Sequence, residues 1–146
     1  MKIRTDFITN SSSSSFIIAY KDFPTIDDET LKKYPFLKSY EKLTESVLIS
    51  SYGYGYETTE GIISKTKEEF DKNLVDSYAW KDNQTIEDLI EYGCLSQETY
   101  NKILQYLENG YNILSKNVGY GDQYCKNIIF ELAENNENFV ILKEGD

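Results

Sequence analysis

Five consecutive serines, Ser11 to Ser15, separate two short apolar segments near the start of the chain. These segments, residues 3–8 and 16–20, are rich in β-branched and aromatic side chains, which favour strands. A serine run is usually a solvated, flexible linker. Because a linker in this position would tie down only a few residues, we expect a leader of defined conformation that docks on its own domain or on a partner. A flexible stretch remains the alternative.

The segment KIRTDFITNSSSSSF, residues 2–16, resembles a leader found on many small, otherwise dissimilar proteins of low-GC Gram-positive bacteria and of phages. The resemblance is confined to roughly residues 1–18. It implies a phage or mobile-element neighbourhood and no particular activity. No catalytic residue is carried over from it.

Acidic side chains are unevenly distributed along the chain, whose net charge is −10. Residues 1–42 carry seven basic and six acidic side chains, whereas residues 43–146 carry eight basic and nineteen acidic ones. Such a surface repels nucleic-acid phosphates and attracts basic proteins. We therefore expect a basic protein partner, such as a nucleic-acid-binding enzyme, and no direct binding of DNA or RNA. Solubility alone is the other explanation of the charge.

Histidine is absent from the sequence. This excludes Ser-His-Asp and Cys-His catalysis, histidine-ligated zinc and the usual general base near neutral pH. The two cysteines, Cys94 and Cys125, form no CxxC pair and are too few for a Cys₄ zinc site, so we expect both to be reduced. We expect no metal, no cofactor and no enzymatic activity. Without a signal peptide or a long apolar run, the expected location is the cytoplasm of a bacterial host.

Capping residues and apolar spacing predict most of the helices. The predicted N-caps are Thr25, Thr66, Thr85 and Ser96. The helix over 96–109 is the clearest, because it places four apolar residues on one side and ends at a glycine: Tyr100, Ile103, Leu104, Leu107 and Gly110. Further helices are expected over 36–43 and 124–134.

Strands are expected near residues 3–8, 16–20, 47–55, 111–119 and 138–142. Helices and strands do not alternate regularly enough for a doubly wound parallel sheet. We therefore predict an α+β fold, with a mostly antiparallel sheet of four or five strands and the helices packed on one face. A single domain over 1–146 is expected, with residues 1–20 integrated into it.

Two Gly-Tyr-Gly segments, residues 53–55 and 119–121, stand 66 residues apart. The pairs Val47-Leu48 and Ile62-Ile63 recur at the same separation, as Ile113-Leu114 and Ile128-Ile129. This weak internal similarity has two explanations. Either a half-domain is duplicated and the two glycine segments together form a ligand site, or two strands simply end in the same common type of turn.

The function that these features favour is a small acidic protein-binding module, of the kind that phages or mobile elements direct as inhibitors against nucleic-acid-handling host or defence enzymes. Anti-CRISPR and anti-restriction proteins that mimic nucleic acid are the analogy of type. One alternative is a small-ligand-binding or regulatory domain that uses the twin Gly-Tyr-Gly segments. Another is a phage structural or assembly protein.

Thirteen tyrosines supply candidate contacts, since tyrosine is enriched at interfaces. The carboxylates of residues 82–98, where no base lies between Lys81 and Lys102, are the expected acidic surface. Together the predicted interaction residues are Asp82, Glu87, Asp88, Glu91, Glu98, Tyr54, Tyr56 and Tyr120.

Overall fold

The computed structural model describes residues 13–21, 28–35, 58–119 and 122–145. Four strands lie in these ranges: β1 (Ser13–Tyr20), β2 (Ile62–Ser64), β3 (Asn112–Gly119) and β4 (Phe139–Gly145). The helices in the same ranges are α1 (Asp28–Lys33), α2 (Lys67–Tyr78), α3 (Ile86–Glu91), α4 (Gln97–Glu108) and α5 (Gln123–Asn135).

The strands form one antiparallel sheet in the order β2-β3-β1-β4. Strand β1 pairs with β3 along its whole length, from Ser13 opposite Gly119 to Tyr20 opposite Asn112. The other edge of β1 pairs with β4. The register shifts between Ile17 and Ile18, where Leu142 of β4 is an extra, bulged residue. The predicted α+β class with an antiparallel sheet is confirmed.

Helices cover both faces of this sheet, so the prediction that they pack on one face is wrong. Successive strand residues point to opposite faces, and those of β1 enter two separate cores. Phe16, Ile18 and Tyr20 pack with α1 and α5. Ile17 and Ala19 pack with α2, α3 and α4. All five residues are buried, because the sheet is the middle layer between helices on its two faces.

The N-caps at Thr66, Thr85 and Ser96 are confirmed by hydrogen bonds from the helices they begin. Thr85 and Asp88 form a complete capping box. At α2 the Glu69 carboxylate instead accepts from the backbone N–H of Lys65, one residue before the cap. Helix α4 is followed by Gly110 at a φ of 84°, a left-handed conformation that favours glycine.

Three predicted strands correspond to β1, β3 and β4, and the helix expected over 124–134 corresponds to α5. Strand β2 was not predicted, because three residues are too few to show an alternating pattern. The strands expected near 3–8 and 47–55, the helix over 36–43 and the cap at Thr25 lie outside the described residues.

The end of the serine run belongs to the sheet. Ser13, Ser14 and Ser15 are the first residues of β1 and pair with residues 117–119 of β3. The Ser15 hydroxyl also donates to Oδ1 of Asn117 over 2.9 Å. These three serines are therefore strand residues and not a linker, whereas Ser11 and Ser12 lie outside the described residues.

Candidate functional site

Two aromatic side chains meet at the surface where α2 and α3 end. Trp80 and Tyr92 pack edge to face, with ring centroids 4.9 Å apart and ring planes at 89°. They remain 53% and 66% exposed, the most exposed of the large hydrophobic residues described. An aromatic pair in water leaves apolar area uncovered that a partner could bury.

The loop between α2 and α3 holds Trp80 in place. Ala79 closes α2 by donating its N–H to the Val75 carbonyl. The N–H of Trp80 donates to Oε1 of Gln84 over 2.8 Å, and Gln84 is only 5% exposed. Asn83 has a φ of 65°, which turns the chain sharply before the Thr85 cap. The buried Gln84 amide thus fixes the backbone at Trp80, and the ring itself packs against Tyr92.

The loop and the helix that carry the aromatic pair also carry exposed carboxylates. Glu87 and Glu91 are exposed and four residues apart on α3, so they occupy the same side of the helix. The opposite side is buried through Ile86 and Leu89. Asp82 is exposed in the loop that carries Trp80. Within the described part of the chain, none of these three carboxylates forms an ion pair.

The other predicted interaction residues have different positions. Asp88 is half-buried, and its carboxylate accepts from the Thr85 N–H in the capping box, so it stabilises the start of α3. Glu98 lies in the first turn of α4, where its carboxylate stands 3.9 Å from the Lys102 ammonium. Tyr54, Tyr56 and Tyr120 lie outside the described residues. The structure thus brings Glu87 and Glu91 onto one side of a helix with Asp82 in the adjoining loop.

We name the set of Trp80, Asp82, Glu87, Glu91 and Tyr92 the aromatic–acidic surface. The three carboxylates of this surface were predicted from the sequence, whereas the two rings were not. The tryptophan had a visible signal, because it is the single Trp of the chain and stands next to the polar stretch Lys81-Asp82-Asn83. Its contact with Tyr92 joins the ends of two helices, and spacing along the chain does not show such a contact.

A shallow cavity of about 520 Å³ continues from this surface between α2, α3 and the start of α4. Glu87 and Ile90 line one side, and Lys67, Asp71 and Tyr100 line the other. Asp71 accepts hydrogen bonds from the Tyr100 hydroxyl and the Lys67 ammonium, each over 2.7 Å. Burial, together with the bond to Asp71, raises the pKa of Tyr100 to about 12. Tyr100 is therefore a neutral donor at physiological pH.

A second polar cluster is buried at the end of β3. The Thr58 hydroxyl accepts from the Gly119 N–H and donates to Oδ2 of Asp122, both over 2.9 Å. Asp122 is 1% exposed and uses its other oxygen to cap α5 through the N–H of Cys125. Residue 58 closely follows the first Gly-Tyr-Gly segment, and Gly119 begins the second. The flanks of the two segments therefore meet, while residues 53–57, 120 and 121 lie outside the described residues and the ligand site stays a prediction.

Lys116 and Cys125 lie near this cluster and are both buried. The Lys116 ammonium donates to the Thr59 carbonyl over 2.8 Å. Burial lowers the pKa of Lys116, while it raises the pKa of the Cys125 thiol to about 12. A thiol with that pKa is protonated near neutral pH and is a poor nucleophile. Together with the paired oxygens of Asp122, this makes the cluster an anchor between the residue-58 segment, β3 and α5.

Among the described residues, no group of three or more His, Cys, Asp or Glu side chains is placed to hold a metal ion. No helix in the same residues is both long and apolar enough to cross a membrane. Comparison with protein-family models, with curated proteins and with solved structures gives no match.

Proposed function

We propose that this protein is a non-enzymatic binding module that recognises a basic protein through its aromatic–acidic surface. The observation that carries the proposal is the exposed Trp80–Tyr92 pair beside carboxylates that lack basic partners in the described part of the chain. Arginine is the matching residue of a partner. Its guanidinium can lie over an aromatic ring and form hydrogen bonds to a carboxylate.

The energetics favour a protein partner over a purely electrostatic contact. Trp and Tyr are common among the residues that contribute most to binding, because they bury a large area with few rotatable bonds. A cation over an aromatic ring contributes about 0.5–2 kcal/mol, depending on how far it is desolvated. Carboxylates at the rim mainly speed encounter and select the sign of the partner's charge. The net charge of −10 acts in the same direction over a longer range.

We further propose that the partner is a nucleic-acid-handling protein, as the inhibitor hypothesis requires. The carboxylates of Glu87 and Glu91 stand one helical turn apart, with about 5–6 Å between their Cβ atoms. Such a row of negative charges can occupy a basic groove that otherwise holds a phosphate backbone. The acidic surface and the resemblance of residues 2–16 to a phage-associated leader support this form.

The single tryptophan gives a direct assay, because its fluorescence reports on the proposed site itself. The probes are an Arg-rich peptide, an acidic peptide of equal length and a DNA duplex. We expect saturable quenching or a spectral shift with the Arg-rich peptide alone. The affinity should fall steeply as added salt shortens the screening length below about 8 Å. Saturable binding of the duplex by the wild-type protein would overturn the proposal.

Charge reversal separates a local site from a general charge effect. The test variant is Glu87→Lys with Glu91→Lys, and the control is Glu134→Lys with Glu137→Lys. The control makes the same change of charge at exposed positions on the α5 side of the sheet. The test pair should slow association about tenfold, more than it speeds dissociation. Equal losses in the two variants would show that only net charge matters.

Trp80→Ala tests the aromatic half of the surface by calorimetry, since this variant lacks the fluorescent reporter. Truncation of a central aromatic contact typically costs about 2 kcal/mol or more, which is about thirtyfold in Kd. The matched control is Tyr78→Ala, which removes an aromatic side chain that is 39% exposed and lies outside the pair. Unchanged affinity in a folded Trp80→Ala variant would remove the rings from the interface.

A further inference from the structure

We propose that a cleft between α2 and the sheet binds a neutral, polyhydroxylated small molecule, either a free sugar or the ribose of a nucleoside. The cleft lies beside the ends of β1 and β3 and next to β2, and its volume is about 450 Å³. Small-molecule sites commonly measure about 300–1,000 Å³. The proposal is independent of the aromatic–acidic surface, and it gives a role to the last residue of the serine run.

A relay of hydrogen bonds builds the floor of this cleft. Ser15 and Asn117 are directly opposite each other in β1 and β3, so their side chains lie on the same face of the sheet. The Ser15 hydroxyl donates its single proton to Oδ1 of Asn117 over 2.9 Å. The Tyr78 hydroxyl lies 3.0 Å from the same Ser15 oxygen. Because the Ser15 proton is already used, Tyr78 must be the donor in that contact.

This relay leaves hydrogen-bonding capacity that faces the cleft. The Tyr78 oxygen keeps an acceptor site after it donates to Ser15. The Asn117 side-chain nitrogen makes no hydrogen bond to the described part of the chain, and neither do the hydroxyls of Ser77 and Ser115. Asn73, whose nitrogen donates to Ser64 Oγ, retains its carbonyl oxygen as an acceptor. The lining thus offers both donors and acceptors, as vicinal hydroxyl groups require.

Charge selects against an anionic ligand. The groups with remaining capacity are the hydroxyls and amides of uncharged polar residues. Glu60 is exposed at the lining, and the net charge of the chain is −10. Lys116 also lines the cleft, but it is only 3% exposed and its ammonium donates to the Thr59 carbonyl. With Glu60 exposed and the Lys116 charge buried, a neutral ligand fits the lining better than a phosphate does.

Apolar surface completes the match to a ring with hydroxyl groups. Tyr78 and Ile62 line the cleft and are 39% and 40% exposed. Aromatic and aliphatic side chains commonly form the walls of small-molecule sites, while a few placed polar groups fix the orientation. The C–H face of a sugar ring, or a nucleobase, can pack against them while its hydroxyls reach Asn117 and Ser115.

Direct titration tests the proposal with ribose and glucose as free sugars, adenosine and uridine as nucleosides, and ATP as the anionic comparison. Binding is followed by calorimetry and by backbone amide shifts in NMR spectra of the wild-type protein. Saturable binding of a sugar or a nucleoside, with shifts centred on residues 15, 78 and 117, supports the cleft, and the preferred probe identifies the source. Absence of saturable binding by all four neutral probes, or tighter binding of ATP than of adenosine, overturns it.

Asn117→Asp removes the amide donor while it preserves the acceptor for Ser15, so the relay persists. We expect a fall in affinity of about tenfold or more, as loss of a placed hydrogen-bond donor typically causes. The control is Asn101→Asp, an exposed α4 position whose side-chain oxygen accepts from Gln97 and which lies outside the cleft. The control should bind as the wild type does. Equal affinity of the Asn117→Asp and wild-type proteins would exclude Asn117 from the site and overturn the proposal.

Discussion

Thr58 is the residue whose replacement should reveal most about how this fold is held together. Its hydroxyl is shared by the Gly119 N–H and the Asp122 carboxylate, and the residue is 4% exposed. Thr58→Val keeps the branched shape and removes only the hydroxyl. A buried N–H and a buried carboxylate oxygen would then both lose a partner, and water could not easily replace it.

The expected cost follows from these two contacts. A hydrogen bond to a charged group contributes about 1.5–3 kcal/mol and an ordinary one about 0.5–1.5 kcal/mol, so the free energy of unfolding should fall by about 2–4.5 kcal/mol. That is a large fraction of the roughly 5–15 kcal/mol typical of such domains. Thr58→Ser is the matched control, because it keeps the hydroxyl and removes one methyl group, at about 1 kcal/mol.

Urea denaturation followed by far-UV circular dichroism measures the difference between the two variants. A double-mutant cycle with Asp122→Ala should give a coupling energy within about 0.5–3 kcal/mol, the usual range for residues in direct contact. If Thr58→Val is as stable as Thr58→Ser, or if the cycle shows no coupling, Thr58 does not anchor its segment to β3 and α5.

Two further perturbations test the core behind the aromatic–acidic surface. Ile103→Ala, at a fully buried position of α4, should lower the free energy of unfolding by about 2–5 kcal/mol, and Leu104→Ala, at the half-buried neighbouring position, should lower it less; equal losses in urea denaturation would contradict the assigned packing. Tyr100 has its pKa raised from 10.0 to about 12, so the stability linked to its neutral form is present below pH 10 and is lost as pH rises toward 12. Tyr100→Phe should therefore flatten the pH dependence of the urea midpoint in that window, and an unchanged slope would refute the assignment.

Local signals in the sequence predicted the elements whose cause is local. Thr85 and Asp88 cap α3 within four residues of each other, and Ser96 and Gly110 bound α4 in the same way. The helices on both faces were not predicted, although β1 carried the signal. Phe16 to Tyr20 is an uninterrupted apolar run, which indicates a strand buried on both faces. A strand of a sheet with one solvated face would have shown alternating apolar and polar residues.

The candidate sites were harder to predict, because their contacts join distant parts of the chain. Ser15 meets Asn117 across 102 residues, and Trp80 meets Tyr92 through the ends of two different helices. The carboxylates of Glu87 and Glu91 could be placed on one side of a helix by spacing alone. The position of Trp80 depends on the conformation of the loop that contains Asn83 and Gln84. No periodic pattern in the sequence indicates that conformation.

The position of β1 in the middle of the sheet has a consequence for how the chain is made. Both of its neighbours are strands that follow it by about a hundred residues or more. Tyr20, for example, pairs with Phe139 of β4. The edges of β1 therefore have neither of these partners until β3 and β4 have been synthesised. Its five buried apolar residues are exposed throughout that interval, when strands with open edges are prone to aggregate. Closing such long loops is also slow. Ser13, Ser14 and Ser15 begin β1 directly before its apolar run, the position in which polar residues oppose aggregation of an unpaired apolar strand.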